Sequence, residues 1–591
     1  MIKRWTYKEE GNSDTIELLM NELGIDRILA SLLVQRGIST YDEARYFFRP
    51  SLDTLYNPFL MKDMDKAVER IEKAISNGEK ILVYGDYDVD GTTAVSLVYS
   101  FLLKRYSNIG YYIPDRYDEG YGISFKGIDY ATTNGYSLII ALDCGIKAIE
   151  KVAYAKQQKI DFIICDHHLP EETIPDAVAV LDPKRVDCDY PFKELSGCGV
   201  GFKLIQGFSQ KNGIPLEEVY TYLDLVAVSI ASDIVPVIDE NRVLTHFGLK
   251  KLNENPSRGL KTIIKFAGIE KTQIAIDDIV FRIGPRINAA GRMEQGRSSV
   301  DLLCAEDDTI AFEMASIVNS CNNDRKNVDR SITHEAHRII ASDPKMQNRK
   351  TTVLYNPSWH KGVVGIVASR LIETYYRPTV ILTESNGFAT GSARSVPGFD
   401  LYQAVEACSD LLENFGGHMY AAGLTLKPEN VPLFIDKFEE TVSRLIDPDM
   451  LIPSITIDAK LDFSDINEKF FRILQQFQPF GPGNMAPVFA SHKVYDNGES
   501  RLVGLDKEHI KISLIQESCL KPLQGIAFQM AEHYSFIRKG NPFSVCYSVG
   551  ENVYRGITTI QLRIKDIHPN QSDAEYDKYS QELTNPFEQR H

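Results

Sequence analysis

Between residues 80 and 168 short apolar runs alternate with helix-like segments, and this alternation constrains the fold more than any other feature of the chain. KILVYG, SLIIALD and DFIIC are too short for helices and rich in β-branched residues, so each reads as a buried strand. The segment Thr92–Arg105, with Ala94, Leu97, Val98, Phe101 and Leu102 at helical spacing, and the segment KAIEKVAYAKQQ read as the intervening helices. Just upstream, DMDKAVERIEKAISNG is amphipathic through Ala67, Ile71 and Ile75 and ends at Gly78. Strands alternating with helices predict a parallel sheet with helices on its faces. In such sheets ligands bind outside the carboxyl ends of the strands. Polar clusters fall at those ends: Asp86, Asp88 and Asp90 after the first run, Asp143 after the second, and Asp166, His167 and His168 after the third. A further apolar run, YLDLVAVSIASD, is read as another strand, closing at Asp233.

At 591 residues the chain exceeds one ordinary core. Residues 1–75 are expected to be a helical segment broken near Pro50, and 76–321 the α/β unit above. NNDRKNVDRSITHEAHRIIAS predicts a linker helix within 322–345. A second α/β lobe is expected over 346–448, with strands TTVLYNP and RPTVILTE around the helix GVVGIVASRLIETYY. Short alternating strands over 449–568 predict a small β-barrel, and 569–591 is a polar tail. No run approaches the roughly 18 apolar residues of a membrane span, and the start of the chain has no apolar signal core. Nine scattered cysteines without a C-x-x-C indicate a reduced, cytoplasmic protein rather than a disulfide or zinc framework. A net charge of −16 excludes non-specific coating of nucleic acid, so any such binding must use local basic clusters.

The stretch DYDVDG resembles the opening of an EF-hand loop, but that reading fails. The twelfth position from Asp86 is Leu97 where a bidentate Glu belongs, and a strand precedes the motif instead of a helix. One aspartate here could simply cap the next helix. Three at one strand end would repel one another, and Asp143, His167 and Asp233 arrive from other elements. Such a set suits a pair of divalent ions that clamp the attacking and leaving oxygens of a phosphoryl displacement. Mixed oxygen and nitrogen ligation fits Mn²⁺ or Mg²⁺. No G-x-x-x-x-G-K-[ST] loop is present.

In order along the chain, GDYDVDG, LDCG, CDHH and ASDIVPV resemble the four motifs of the DHH phosphoesterase superfamily. The flanking segments IPDRYDEGYGIS, LSGCGVGFKL, FRIGPRINAAGRM, WHKGVVGIVASRL, GSARS, NFGGHMYAAG and PFGPGNMAPVF resemble its single-stranded-DNA-specific exonuclease branch, from about residue 25 to 568. The resemblance implies a parallel-sheet DHH phosphoesterase lobe, a long linker helix, a DHH-associated α/β lobe and a C-terminal OB-like barrel. It implies that Asp88 and Asp90 ligate two metals, Asp143 bridges them, His167 and Asp233 complete the second site, and His168 faces the scissile phosphate. Many members carry a His where this chain has Tyr84, so Asp86 either stands in for that imidazole or caps the turn.

Arg282, Arg286, Arg292 and Arg297 form the clearest basic patch, with Glu294 the one acid among them. The alternative is surface arginines in salt bridges. FRIGPRINAAGRM resembles a DNA-contacting loop, which selects Arg286, Asn288 and Arg292 as phosphate contacts, with Arg116 reaching toward the metals. In the second lobe Gly416, Gly417 and His418 read as a loop whose backbone N–H groups approach a phosphate, or as a helix-ending turn. Ser392, Arg394 and Ser395 are expected at a nearby turn, together gripping the 5′ end. Trp359 and His360 offer stacking surfaces, although tryptophan more often packs in a core. The resemblance implies 5′-to-3′ degradation of single-stranded DNA to mononucleotides in recombination and mismatch repair. It also implies a monomer working with a single-strand-binding protein and a helicase, away from membranes. A hydrolase of short oligonucleotides or cyclic dinucleotides would need only the two α/β lobes. A non-catalytic scaffold would have lost the acidic ligands that this chain keeps.

Overall fold

The computed structural model describes residues 3–270, 273–293, 296–554 and 557–569. The start is not all helical: β1 (Arg4–Tyr7) precedes the helices Ser13–Leu23, Arg27–Val34 and Tyr41–Phe48. β1 pairs in parallel with β12 (Ser454–Ile457), Arg4 opposite Ser454. No local pattern announces a strand whose partner lies 450 residues away.

The first lobe is built on β2 (Lys80–Gly85), β3 (Ile109–Tyr112), β4 (Tyr136–Leu142), β5 (Asp161–Cys165) and β6 (Ala179–Leu181). Their order is β3-β2-β4-β5-β6 and every pairing is parallel. Both faces are buried: Val83, Leu142 and Ile163 belong to one apolar layer, Leu82, Ile139 and Ile164 to the other. Helix α1 (Val89–Leu103) begins earlier than the expected Thr92 because Asp88 caps it, accepting from the Gly91 N–H at 3.0 Å. Gly91 is required there, since a Cβ would lie 2.4 Å from the carbonyl oxygen of Asp86. Helices α2 (Gly197–Lys211) and α3 (Leu223–Ser232) pack against α1. The run ending at Asp233 is therefore a helix, not a strand, and Asp233 is its C-cap. Burial of α3 on nearly every side erases the 3.6-residue period that marks a helix in sequence.

FRIGPRINAAGRM is likewise not a loop. It forms a π-turn over Ile279–Ile283 that continues as α4 (Gly284–Met293). The linker helix α5 (Asp308–Ser342) begins well before residue 322, because its first half packs Ala315 and Val318 into the core of the first lobe. Its second half packs Ile332, Ala336 and Ile340 against the second lobe, so one helix about 50 Å long ties both lobes.

The second lobe contains β7 (Thr352–Tyr355), α6 (Val364–Tyr375), β8 (Thr379–Ser385), β9 (Phe388–Arg394), β10 (Leu412–His418) and β11 (Ala421–Leu426), in sheet order β10-β11-β9-β8-β7. Ser392 and Arg394 thus lie on a strand, with Ser395 just past its end, and Gly416, Gly417 and His418 lie on the edge strand β10. Of the two glycines that suggested a turn, Gly417 instead allows close backbone approach, since a Cβ on it would stand 2.3 Å from the Ala421 carbonyl oxygen, whereas Gly416 faces open space.

The C-terminal strands are β13 (Ala459–Lys460), β14 (Phe489–Asp496), β15 (Arg501–Val503), β16 (His509–Gln516), β17 (Cys519–Ala527), β18 (Phe543–Tyr554) and β19 (Ile557–Pro569). Pairing of β14 with both β18 and β16 closes five of them into a barrel of OB type. Leu19, Leu29 and Leu33 of the N-terminal helices share one core with Phe470, Phe489 and Tyr547 of the barrel region. The expected polar tail, from residue 570 on, lies outside the described residues. Among the described residues no helix is long and apolar enough to cross a membrane.

Candidate metal centre and strand-binding cleft

At the carboxyl edge of the first sheet, His167 Nε2 lies 3.1 Å from Asp143 Oδ1, 3.6 Å from Asp233 Oδ2 and 3.7 Å from Asp90 Oδ2. Asp143, His167 and His168 each offer a ligand atom within 4.8 Å of the others, and so do Asp90, His167 and Asp233. The two triads share His167. Asp90, Asp143 and His167 are buried while Asp233 and His168 are partly exposed, and burial sets the electrostatics. Burial and the neighbouring acids Asp90, Asp88 and Asp233 push the Asp143 carboxyl well above its ordinary range. Burial and Asp90 raise Asp88, and burial with Asp90 and Asp88 raises Asp233 to about 8. Burial also lowers the His167 imidazole, favouring the neutral form that ligates metal.

The backbone supports this crowding. Asp143 sits at φ 57°, in the left-handed region, its N–H donating to the Cys165 carbonyl (2.9 Å). Ile234, directly after Asp233, is also left-handed at φ 61°, a strain of about 1–3 kcal/mol for a β-branched residue at a functional turn. Asp90 accepts from the N–H groups of Gly197 and Cys198, both at 2.7 Å, at the N-terminus of α2. It also accepts from the Ser229 hydroxyl of α3 at 2.7 Å, and the Ser229 oxygen lies 2.6 Å from the hydroxyl of Ser196, the N-cap of α2.

Asp166 was visible in sequence, but its role was not. Its Oδ1 lies 2.7 Å from His168 Nδ1 and accepts the His167 N–H (2.8 Å), while Oδ2 accepts the Ile146 N–H (2.9 Å). Burial alone would raise Asp166, yet the bond and charge of His168 hold it at about 2. Burial would lower His168, yet Asp166 lifts it to about 9. The Tyr121 hydroxyl stands 3.4 Å from His168 Nε2.

Tyr84 makes no contribution to the acidic cluster. Its hydroxyl donates to the Gly122 carbonyl (3.0 Å) and accepts from the Ser124 N–H (3.2 Å), so it holds the loop that carries Tyr121. Asp86 is fully buried, raised first by burial and then by Asp88, and its Oδ2 has no hydrogen-bond partner. The cap of α1 is Asp88, so capping does not explain Asp86. Asp143 Oδ2 and both ring nitrogens of His167 are buried without hydrogen-bond partners as well. Desolvated acids of one sign with unsatisfied ligand atoms fit divalent cations.

Above the acids lies a basic cleft. Arg116 stacks over Tyr87 at 5.1 Å and its charge acts on Asp86. Arg292 donates to the Gly362 carbonyl of the second lobe (3.1 Å), and Tyr117 O–H bonds to the Arg292 carbonyl. Burial and the charges of Arg116, Arg325 and Arg394 lower Arg292 to about 10. Arg325, on the linker helix, had no local signal in sequence. Register aligns the second lobe: Ser392 pairs with Gly423, which pairs with Gly416, and Arg394 pairs with Ala421, which pairs with His418. Because paired and alternate residues share a face, Ser392, Arg394 and His418 project from one face, over which the bare backbones of Gly416 and Gly423 leave open space. Arg394 donates to the Ser392 hydroxyl (2.6 Å), and both lie against Gly365 in the first turn of α6. Positive side chains beside a helix N-terminus make an anion site.

Other expected contacts fall elsewhere. Arg286 is buried, donating to Asn319 Oδ1 (3.0 Å) and the Arg282 carbonyl (2.6 Å), so it fastens α4 to α5. The Ser395 hydroxyl donates to the Phe399 carbonyl (2.8 Å). Trp359 is buried with its Nε1–H on Glu335 (2.8 Å), and is therefore packing rather than a stacking surface. His360 meets Tyr117 edge-on at 6.2 Å, at the seam between lobes.

Three family models match the chain: the DHH family N-terminal domain over residues 80–230, the DHHA1 domain over 348–444 and the RecJ OB domain over 457–566. The single-stranded-DNA-specific exonuclease RecJ of Bacillus subtilis is 36% identical across 95% of this chain and 70% of its own length. The chain belongs to the RecJ exonuclease family. RecJ of Escherichia coli is 32% identical across 92% of this chain and 96% of its own. A crystal structure of RecJ from Thermus thermophilus in complex with Mn²⁺ superposes with a TM-score of 0.81, covering 96% of this chain and 80% of that one. At 24% identity that likeness is one of fold. An exonuclease RecJ bound to manganese is 28% identical, with a TM-score of 0.58 over 68% of this chain and 98% of that one.

Proposed function

We propose that this RecJ-family chain is a metal-dependent exonuclease of single-stranded DNA that works from the 5′ end and releases mononucleotides by two-metal hydrolysis. The observation that supports the reading is one Asp/His cluster beside Arg116, whose charge acts on Asp86, with Arg292 and Arg394 adding cations from both lobes. Asp88, Asp90, Asp143, His167 and Asp233 would hold the ions, with Asp86 supplying the further oxygen where relatives use an imidazole. Mn²⁺ or Mg²⁺ bound there would neutralise phosphodiester charge and supply hydroxide near neutral pH.

The chain's own residues do the rest. Ser229 and the α2 N-terminus fix the Asp90 carboxylate. His168, kept cationic by Asp166, faces the crevice and stabilises charge developing on a phosphate oxygen. Arg116 and Arg292 hold the backbone on either side of the reacting phosphate, with Asn288 beside them. Ser392, Arg394, His418 and the first turn of α6 take a terminal phosphate, the feature that supports 5′ polarity. A barrel joined to the two lobes supports a long strand as substrate, whereas a dinucleotide would need the lobes alone. The test offers 5′- and 3′-labelled single strands, a duplex and a cyclic dinucleotide with Mn²⁺ or Mg²⁺. Mononucleotide release from the 5′ label of the single strand is expected. Preferential turnover of the cyclic dinucleotide, or release from the 3′ end, would overturn the reading. Roles in recombination and mismatch repair, with single-strand-binding protein and a helicase as partners, rest on family membership.

A further inference from the structure

The segment from Asp233 to Arg242 leaves the acidic cluster through a bend and enters the helix Asp239–Glu254. Ile234 at φ 61° and Asp239 at φ 44° bracket that bend, both in the left-handed region. Side-chain-bearing residues persist in such conformations only where the surroundings hold them. Ile234 is 65% exposed, so its side chain is not the anchor. Part of the hold comes from within the first lobe: the fully buried Asn241 donates from Nδ2 to the carbonyls of Pro236 (2.9 Å) and Glu194 (2.5 Å). The Asp239 carboxylate accepts from the Tyr56 hydroxyl at 3.0 Å. The middle of the bend is held by the barrel.

Val237 is fully buried, and its N–H donates to the Pro482 carbonyl at 2.7 Å. Pro482 lies in the turn Gly481–Asn484, which leads into β14 and is closed by paired bonds between the Gly481 and Asn484 backbones (3.0 and 2.8 Å). A Cβ on Gly481 would stand 2.4 Å from Val237 Cγ2, and one on Gly483 would stand 2.9 Å from Ile238 Cγ2. Side chains on this turn would therefore displace the bend. The turn is itself fixed. Asn484 donates to the carbonyls of Phe477 (2.8 Å) and Pro479 (2.9 Å), and its Oδ1 accepts from Arg36 Nε (2.7 Å). At the far end of the segment the buried Arg242 donates to the carbonyls of Phe47 (3.1 Å), Phe477 (2.9 Å) and Gln478 (2.9 Å). Bonds from the barrel region thus converge on the residues that directly follow Asp233.

We propose that the turn Gly481–Asn484 is a positioning element for Asp233: by holding Val237 and Arg242 it fixes the bend from which the Asp233 carboxylate completes the metal centre. The barrel region then tunes ion binding in the first lobe, a role separate from any contact with the strand. Outer partners of a metal ligand act in this way, by holding the ligand where the ion needs it. The inference rests on the reading of Asp233 as a metal ligand.

The experiment titrates Mn²⁺ into the full chain without DNA and reads free Mn²⁺ by electron paramagnetic resonance. Asp233→Asn defines the ion that depends on this ligand and is expected to weaken it. Gly481→Ala is expected to weaken the same ion about ten- to hundredfold. Combining it with Val237→Ala removes Cγ2 from the contact and is expected to restore most of the affinity. Val237→Ala alone loosens the contact without a clash, so it tests the same point if Gly481→Ala does not fold, and it too is expected to weaken that ion. Gly525→Ala strains the barrel elsewhere, its Cβ 2.7 Å from Ile512 Cγ2, and is expected to bind Mn²⁺ as the parent does. Affinity within about twofold of the parent in both Gly481→Ala and Val237→Ala would overturn the positioning role and leave the exonuclease reading intact. Equal weakening by Gly525→Ala would do the same. Unchanged binding in Asp233→Asn would instead overturn the reading of Asp233 as a ligand, and the positioning role with it.

Discussion

Ser229→Ala removes one hydroxyl from the shell around Asp90, and the structure sets the size of the effect. Three donors hold that carboxylate at 2.7 Å, and Ser229 is the one side chain among them; the N–H groups of Gly197 and Cys198 remain after the substitution. Ser229 is fully buried, so water does not replace the lost donor. A hydrogen bond to a charged group contributes about 1.5–3 kcal/mol, which corresponds to about ten- to hundredfold in an equilibrium constant. Loss of an outer partner of a metal ligand commonly costs the same ten- to hundredfold in metal affinity or activity. The assay is the initial rate of nucleotide release from 5′-labelled single-stranded DNA as a function of Mn²⁺ concentration, with urea unfolding of the same protein alongside. The half-activating Mn²⁺ concentration is expected to rise about ten- to hundredfold, with much of the rate regained at saturating metal and cooperative unfolding retained. A Mn²⁺ requirement within about twofold of the parent would refute the argument, because it would mean that the two backbone donors alone hold Asp90 as a metal ligand.

Asp143→Ala is expected to abolish cleavage while single-strand binding in chelator persists; retained turnover would remove Asp143 from the centre. Gly197→Ala places a Cβ 2.6 Å from the Asp143 Cβ and 2.8 Å from its Oδ1, so it should raise the Mn²⁺ requirement more than Ser229→Ala does. Arg292→Ala should weaken single-strand binding and lower its salt slope by about 0.7, one phosphate contact, measured by titration at several salt concentrations. Trp359→Phe loses the bond to Glu335 and should cost about 1 kcal/mol of stability by urea unfolding, with strand affinity unchanged.

The parallel sheet was legible through three of its five strands, β2, β4 and β5, which are short apolar runs flanked by helical spacing, with Asp86, Asp88, Asp90, Asp143, His167 and His168 where those runs end; β3 and β6, of four and three residues, are too short to give a pattern. Asp233 was found for a mistaken reason: α3 is buried on nearly all sides, and a helix without a polar face looks like a strand. Gly417 of β10 misled in a related way, since close strand approach and tight turns call for the same residue. What escaped entirely came from distance. Arg325 reaches the cleft from the linker helix, and Ser229 meets Asp90 across 139 positions. Asp166 was seen as one more acid, whereas its hydrogen bonds to the His168 ring and three backbone N–H groups make it the residue that orients the motif.

The pairing of β1 with β12 and the core shared by the N-terminal helices and the barrel bear on how the chain is made. Leu19, Leu29 and Leu33 leave the ribosome several hundred residues ahead of their partners Phe470, Phe489 and Tyr547. At roughly 5–20 residues per second, the interval is on the order of half a minute or more. During that time a newly made apolar surface has no native cover, which predicts dependence on a chaperone that binds nascent chains. It also means that cutting away the barrel would not leave a minimal two-lobed enzyme. Such a truncation would expose the amino-terminal helices as a sticky remnant, and insolubility would mask any change in substrate choice.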